Sequence, residues 1–164
     1  MVLVPPTKPN QVPDLRQRDV RETIVKEVTT TNYISISGCA FDAEHPDTGD
    51  LSKDFDSGKI TITSKVTLGD EAIVVGVNIP NGAIITTCVA YGSSALCKWR
   101  LSRITLSSGT NVLLSNDGVA VNTADNTIEN ATIDNKIYAY YLSVVVDADA
   151  DEIYGARITY TTTT

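Results

Sequence analysis

The sequence predicts an all-β protein: an antiparallel β-sandwich or jelly roll behind an extended, proline-rich N-terminal arm. Three observations carry this reading. From about Thr23 onward, polar and apolar residues alternate with period two, and Thr, Val, Ile and Tyr dominate. Turn residues punctuate the alternation at short intervals. Between the apolar runs lies no amphipathic stretch of ten or more residues with helical spacing, so a parallel sheet with crossover helices is disfavoured.

Taken in order, residues 1–22 form the predicted arm and residues 23–164 the sandwich. Four prolines fall within thirteen residues (Pro5, Pro6, Pro9, Pro13). Each fixes φ and lacks an N–H, so the segment reads as polyproline-like chain that cannot join a sheet interior. Val4, Pro5, Pro6, Pro9, Pro13 and Leu15 are its candidate contact residues for assembly. The following "DLRQRDVRE" (Asp14 to Glu22) alternates charge signs and suits a short helix or a solvated linker. Strands are then expected near Thr23 to Ser37, Lys59 to Leu68, Glu71 to Ile79, Ile84 to Tyr91, Leu96 to Leu106, Asn111 to Ser115, Thr127 to Ile133, Ile137 to Val146 and Ile153 to Thr161. The separators are turn sequences: Gly69-Asp70, Pro80 to Gly82, Gly92 to Ser94, Ser107 to Thr110, Asn116 to Gly118 and Asp134-Asn135.

Composition narrows the function. The 164 residues, 42% apolar and 20% charged, fit one domain with its own core and no need of a metal or disulfide to fold. No apolar run approaches the ~20 residues of a membrane-spanning helix. Net charge is −7, and it is uneven: residues 1–31 carry five basic and four acidic side chains, residues 32–164 eight and sixteen. A body of that sign opposes a phosphate-tracking surface, so nucleic acid is not an expected partner. The N-terminus has no charged start, apolar stretch or small-residue cleavage site of a secretory signal, so the expectation is that the protein either stays inside the cell or leaves by lysis.

Each reactive residue has a plainer role beside its chemical one. If "CVAYGSSALC" is a hairpin turning at Gly92-Ser93, Cys88 and Cys97 face each other where Cα atoms approach within about 4.5 Å, and a cross-strand disulfide can form. The alternative is two small buried residues beside Trp99 and Leu101. Cys39 is expected in the core. The spacing of the cysteines and of His45 fits no zinc pattern. Two acidic stretches, "FDAEHPDTGDLSKDFDSG" (Phe41 to Gly58) and "DADADE" (Asp147 to Glu152), place carboxylates at alternate positions. Asp147, Asp149, Asp151 and Glu152 are therefore candidate calcium ligands, although the EF-hand pattern fails at Glu152 and Ile158. The competing expectation is an exposed, solubilising hairpin tip.

Enzyme signatures are weak. "DTG" at Asp47 to Gly49 lacks the preceding apolar strand that buries an aspartic-protease carboxylate. His45 has no nucleophile elbow to serve, and the glycines are scattered rather than gathered into a phosphate loop.

The runs "NIPNGAIITTCVAYG", "WRLSRITLSSGT", "NATIDNKIYAYYLSVVV" and "IYGARITYT" resemble a β-sandwich domain that recurs in uncharacterised bacterial and phage-encoded surface and structural proteins. The resemblance covers about Ile34 to Thr161 and is most specific in Tyr138 to Val144 and Tyr154 to Thr161. It implies a sandwich with no known catalytic site and transfers no functional residues. The expected function is thus non-enzymatic: a self-assembling structural protein of a virion, as capsid decoration or fibre. Its partners would be itself, with a trimer favoured, and a major capsid or tail protein. The alternative is a carbohydrate- or calcium-binding module, with Trp99, Tyr91 and the acidic loops as candidates, or a subunit of an extracellular filament.

Overall fold

The computed structural model describes residues 27–44, 50–64 and 72–164. The arm residues Val4, Pro5, Pro6, Pro9, Pro13 and Leu15, together with His45 and Asp47 to Gly49, lie outside the described residues. The expected all-β class and two antiparallel sheets are borne out. Eleven strands occur among the described residues: β1 (Thr29–Ser37), β2 (Asp42–Ala43), β3 (Asp50–Asp54), β4 (Lys59–Ser64), β5 (Ala72–Val77), β6 (Ile84–Gly92), β7 (Lys98–Thr105), β8 (Asn111–Leu113), β9 (Val119–Ala120), β10 (Tyr138–Val145) and β11 (Glu152–Thr163).

Sheet A is organised around β11. One edge of this strand pairs with β6, and the other pairs first with β4 through Glu152 and Ile153, then with β1 from Gly155 to Thr163; β3 lies beyond β4. Sheet B runs β2-β5-β10-β7-β8, with β9 also pairing β7. The inward residues of both sheets fill the space between them, as alternation requires. Sheet A gives Ile60, Ile62, Cys88, Ala90, Ile153 and Ile158; sheet B gives Ile73, Trp99, Leu101, Tyr140, Leu142 and Val144.

The period-two alternation is broken at two places, and each break is a bulge. In β11 the inward positions shift from Ile153 to Ala156 and Ile158, because the register jumps between Ile153 and Gly155. Gly155 adopts φ +147, and a Cβ there would stand 2.2 Å from the carbonyl oxygen of Ile36. Only glycine lets β1 come this close. A second jump, between Thr159 and Tyr160, moves the inward set of β6 from Cys88 to Ile85.

Four sequence expectations are corrected. Ile84–Gly92 and Lys98–Thr105 belong to different sheets, so "CVAYGSSALC" is a crossover and not a hairpin. The stretch Ile137 to Thr161 likewise passes from sheet B to sheet A, which makes "DADADE" a crossover rather than a hairpin tip. Thr127 to Ile133 is not a strand. Residues 121–133 run as an irregular strap along the free edge of β6, touching it at the bridges Cys88↔Asp125 and Ile84↔Thr132. Finally, the acidic stretch after Phe41 contains β2 and β3. Phe41 is fully buried, and β3 turns into β4 at a bend where Asp54 accepts the N–H groups of Asp56 (3.1 Å) and Ser57 (3.3 Å).

Candidate functional site

Two crossover segments concentrate the polar chemistry of the body. In the first, the carboxylate of Asp151 turns inward. Its Oδ2 accepts the N–H of Ala148 at 2.8 Å and of Asp147 at 3.1 Å, and the Cys97 thiol donates to it at 3.2 Å. Asp151 is 8% exposed. Ala150 sits at φ 66 and donates its N–H to the Ile62 carbonyl at 2.7 Å, while Ile62 N–H returns to Asp151 O at 3.1 Å. Glu152 points away and pairs with Lys59 at 2.6 Å, which raises the Lys59 pKa. The four candidate calcium ligands are therefore not brought together: Asp151 holds its own loop, Glu152 holds β4, and the side chains of Asp147 and Asp149 lie at exposed positions. Among the described residues no group of three His, Cys, Asp or Glu side chains is placed to hold a metal ion.

The second cluster was missed by the sequence reading. Asp125, 4% exposed, anchors the strap. Its Oδ2 accepts Asn116 N–H at 2.7 Å, and its Oδ1 accepts Thr127 N–H at 2.8 Å, the Thr127 hydroxyl at 2.7 Å and the Asn116 side-chain amide at 3.3 Å. Burial alone would raise its pKa, but these donors outweigh burial and hold it below the ordinary value. A legible signal was available: "DNT" at Asp125 to Thr127 is the spacing at which an Asp side chain caps the N–H two residues on.

The cysteines are separate. Cys88 lies on β6 and Cys97 just before β7; both are buried free thiols. The hairpin pairing on which a cross-strand disulfide was expected is absent, since β6 and β7 lie in different sheets, and the plainer expectation of small buried residues holds. Burial pushes the Cys88 thiol up to about 12 and the Cys97 thiol up to about 11. Cys39 is half-buried rather than core; it closes a single 3-10 turn, Gly38–Ala40, and its thiol faces the carbonyls of Asp54 (3.1 Å) and Lys59 (3.2 Å).

Trp99 is 0% exposed, and its Nε1 donates to the Thr123 carbonyl at 3.2 Å. It is a core residue tied to the strap and presents no face to a ligand. Tyr91 has a different environment. With Tyr154, Arg157, Ser35 and Gly155 it lines a depression of about 530 Å³ on sheet A. On the outer face of sheet B, Ser102, Ser143, Tyr141 and the Arg100–Asp117 ion pair (2.7 Å) line a more polar depression of about 430 Å³. Compared with known proteins, the chain matches no family model, no curated protein and no solved structure.

Proposed function

We propose that this chain is a non-enzymatic structural protein that self-assembles through its sandwich and its N-terminal arm, and that it serves in a virion as capsid decoration or fibre. The observation that carries the reading is the place where the arm joins the body. Val28 and Thr164 are bonded to each other immediately before β1, and β1 lies at an end of the sheet A path. A proline-rich segment attached there can reach a neighbouring copy or a shell surface without disturbing the sandwich. The polar side chains buried in the two crossovers are engaged in holding loops, a use that supports a scaffold role. The resemblance to phage-encoded and bacterial surface sandwiches, the trimeric order and the capsid or tail partner belong to this same proposal.

Removal of Met1 to Arg21 tests it. The truncated chain should stay soluble, melt cooperatively and keep its far-ultraviolet spectrum, yet fail to reach the particle mass of the full chain by light scattering. Equal masses would sink the arm-mediated assembly.

A second reading has one observation in its favour. Tyr91, Tyr154 and Arg157 line one depression together with Gly155, which combines aromatic rings and a hydrogen-bond donor as a sugar site requires. Glycan-array binding that disappears in Tyr154→Ala would favour a carbohydrate-binding module over a purely structural one.

A further inference from the structure

Strand edges are where sheets recruit further strands, and the described edges of this sandwich are treated unequally. The free edge of β6 is covered by the strap, through Asn122 N–H to Ala90 O (2.7 Å), the Cys88–Asp125 pair of main-chain bonds, and Ile85 N–H to Ala131 O (2.9 Å). The edge strand β3 is guarded by Asp50, Lys53 and Asp54 within its five residues. In sheet B the outlying strands β2, β8 and β9 are two or three residues long. That leaves β1. Its sequence, "TTTNYISIS", is nine residues without a charge or a proline, and among the described residues its only ladder is with β11.

The direction of its free main-chain groups follows from the register. Val28 and Thr164 exchange both bonds, at 3.1 and 3.2 Å. In an antiparallel pair such doubly bonded positions recur at every second residue, and this ladder runs without a break from Thr29↔Thr163 to Ser37↔Gly155. Thr30, Asn32, Ile34 and Ile36 thus turn N–H and C=O toward β11. Thr29, Thr31, Tyr33 and Ser35 turn theirs outward, to the open edge.

We infer that this edge docks a second copy of itself, β1 against β1 in antiparallel register about a two-fold axis through Tyr33, so that sheet A continues from one subunit into the next. The register is self-consistent. Centring on Tyr33 sets outward-bonding residues opposite one another, Thr31 against Ser35 and Tyr33 against its own copy, so the free donors and acceptors meet in doubly bonded pairs. The facing side chains are hydroxyls and aromatic rings, which pair favourably across strands, and no like charges are opposed although each chain carries −7. A second copy is the occupant the strand itself specifies, because the same uncharged nine residues supply both halves of this register.

This inference rests on the assembly reading for its partner and specifies a contact distinct from the arm. The test is a full-length Thr31→Pro variant. The Thr31 N–H faces the open edge, so proline removes a docking donor and no β1–β11 bond. A second variant, Thr31→Lys with Ser35→Lys, adds like charges to the edge with the backbone unaltered. Because the edge contact joins two arm-held assemblies, both variants should sediment at half the wild-type mass, with the melting curve still cooperative and Trp99 fluorescence unchanged. Wild-type mass in both variants, while removal of Met1 to Arg21 lowers it, would overturn the edge contact and leave arm-mediated assembly standing. A wild-type chain that is monomeric throughout would overturn both.

Discussion

Asp125 offers the sharpest energetic test of the body, because one carboxylate holds the strap that covers an entire sheet edge. In Asp125→Asn, the side-chain oxygen can keep the Thr127 bonds, but the new amide then faces the Asn116 N–H, 2.7 Å from the original oxygen, donor against donor. One charge-assisted bond is lost and one buried N–H is left unsatisfied, a cost of about 1.5–3 kcal/mol. Asp125→Ala removes all four acceptor contacts, and since bonds to one group are not additive the cost should be about 3–5 kcal/mol. The sign of the pH dependence follows from the lowered pKa. The folded carboxyl titrates below its usual 3.8, so its stabilisation is present above that value and is lost as pH falls through the folded pKa. Urea unfolding followed by Trp99 fluorescence is well placed to report it, since the Trp99 indole bonds to Thr123, two residues from Asp125. At pH 7 the Asn variant should unfold at lower urea, and its deficit should shrink in acid as the pH falls through the lowered folded pKa and the wild-type carboxyl protonates. A variant as stable as wild type at pH 7, or a deficit of the same size in acid, would refute the assignment.

Four further outcomes are expected. Trp99→Ala should cost roughly 3–5 kcal/mol in a denaturant titration monitored by circular dichroism, whereas Lys98→Ala, half-buried on the other face, should cost under about 0.5. Asp151→Ala strands two backbone N–H groups and a thiol and should lower stability by about 2–4 kcal/mol, readable as a drop in melting temperature. In Gly155→Ala the added methyl meets the Ile36 carbonyl at 2.2 Å, so loss of the β1–β11 ladder should appear as fast amide exchange along Thr29–Ser37. Thiol labelling of the native protein near pH 8 should modify Cys39 first, while Cys88 and Cys97, held as buried thiols with pKa values of about 12 and 11, react only on unfolding.

The strands were legible in the sequence because their side chains alternate between a filled interior and solvent, and that pattern is local. Cys97, Trp99 and Leu101 read correctly as one inward face for this reason. Which strands share a sheet was not legible. A hairpin and a sheet-to-sheet crossover can have the same length and the same Gly-Ser or Asp-rich chemistry, and the difference lies in partners far along the chain. Both Gly92 to Leu96 and Asp147 to Asp151 were misread in this way. The exposed character assigned to Asp151 fell with the hairpin, since only a crossover packed on Ile62 and Cys97 gives that carboxylate an interior side. The strap was misread as a strand because Ile128, Ala131 and Ile133 do pack inward, although the backbone bonds of this segment are scattered over Ala83, Ile85 and Leu114 instead of forming one ladder. The strand expected from Thr23 to Ser37 included Lys26 and Glu27, and that its uncharged part, Thr29–Ser37, pairs among the described residues with β11 alone depends on partners far along the chain.

The central place of β11 bears on when the protein can fold. Sheet A pairs Thr29 with Thr163 and Ile84 with Thr161, and β4 reaches β11 through Ile60 and Ile153. During synthesis, β4 can pair with β3 at once, but the early strands β1 and β6 must wait, unpaired at their principal seams, until Glu152–Thr163 has left the ribosome. Sheet B can begin sooner, since β5, β7 and β10 are complete by Val145. Such distant pairings place the protein among slow, late-folding topologies, with an apolar half-sandwich exposed in the interim. Nascent chains would then depend on dilution or a holding chaperone until the last strand closes the sheet.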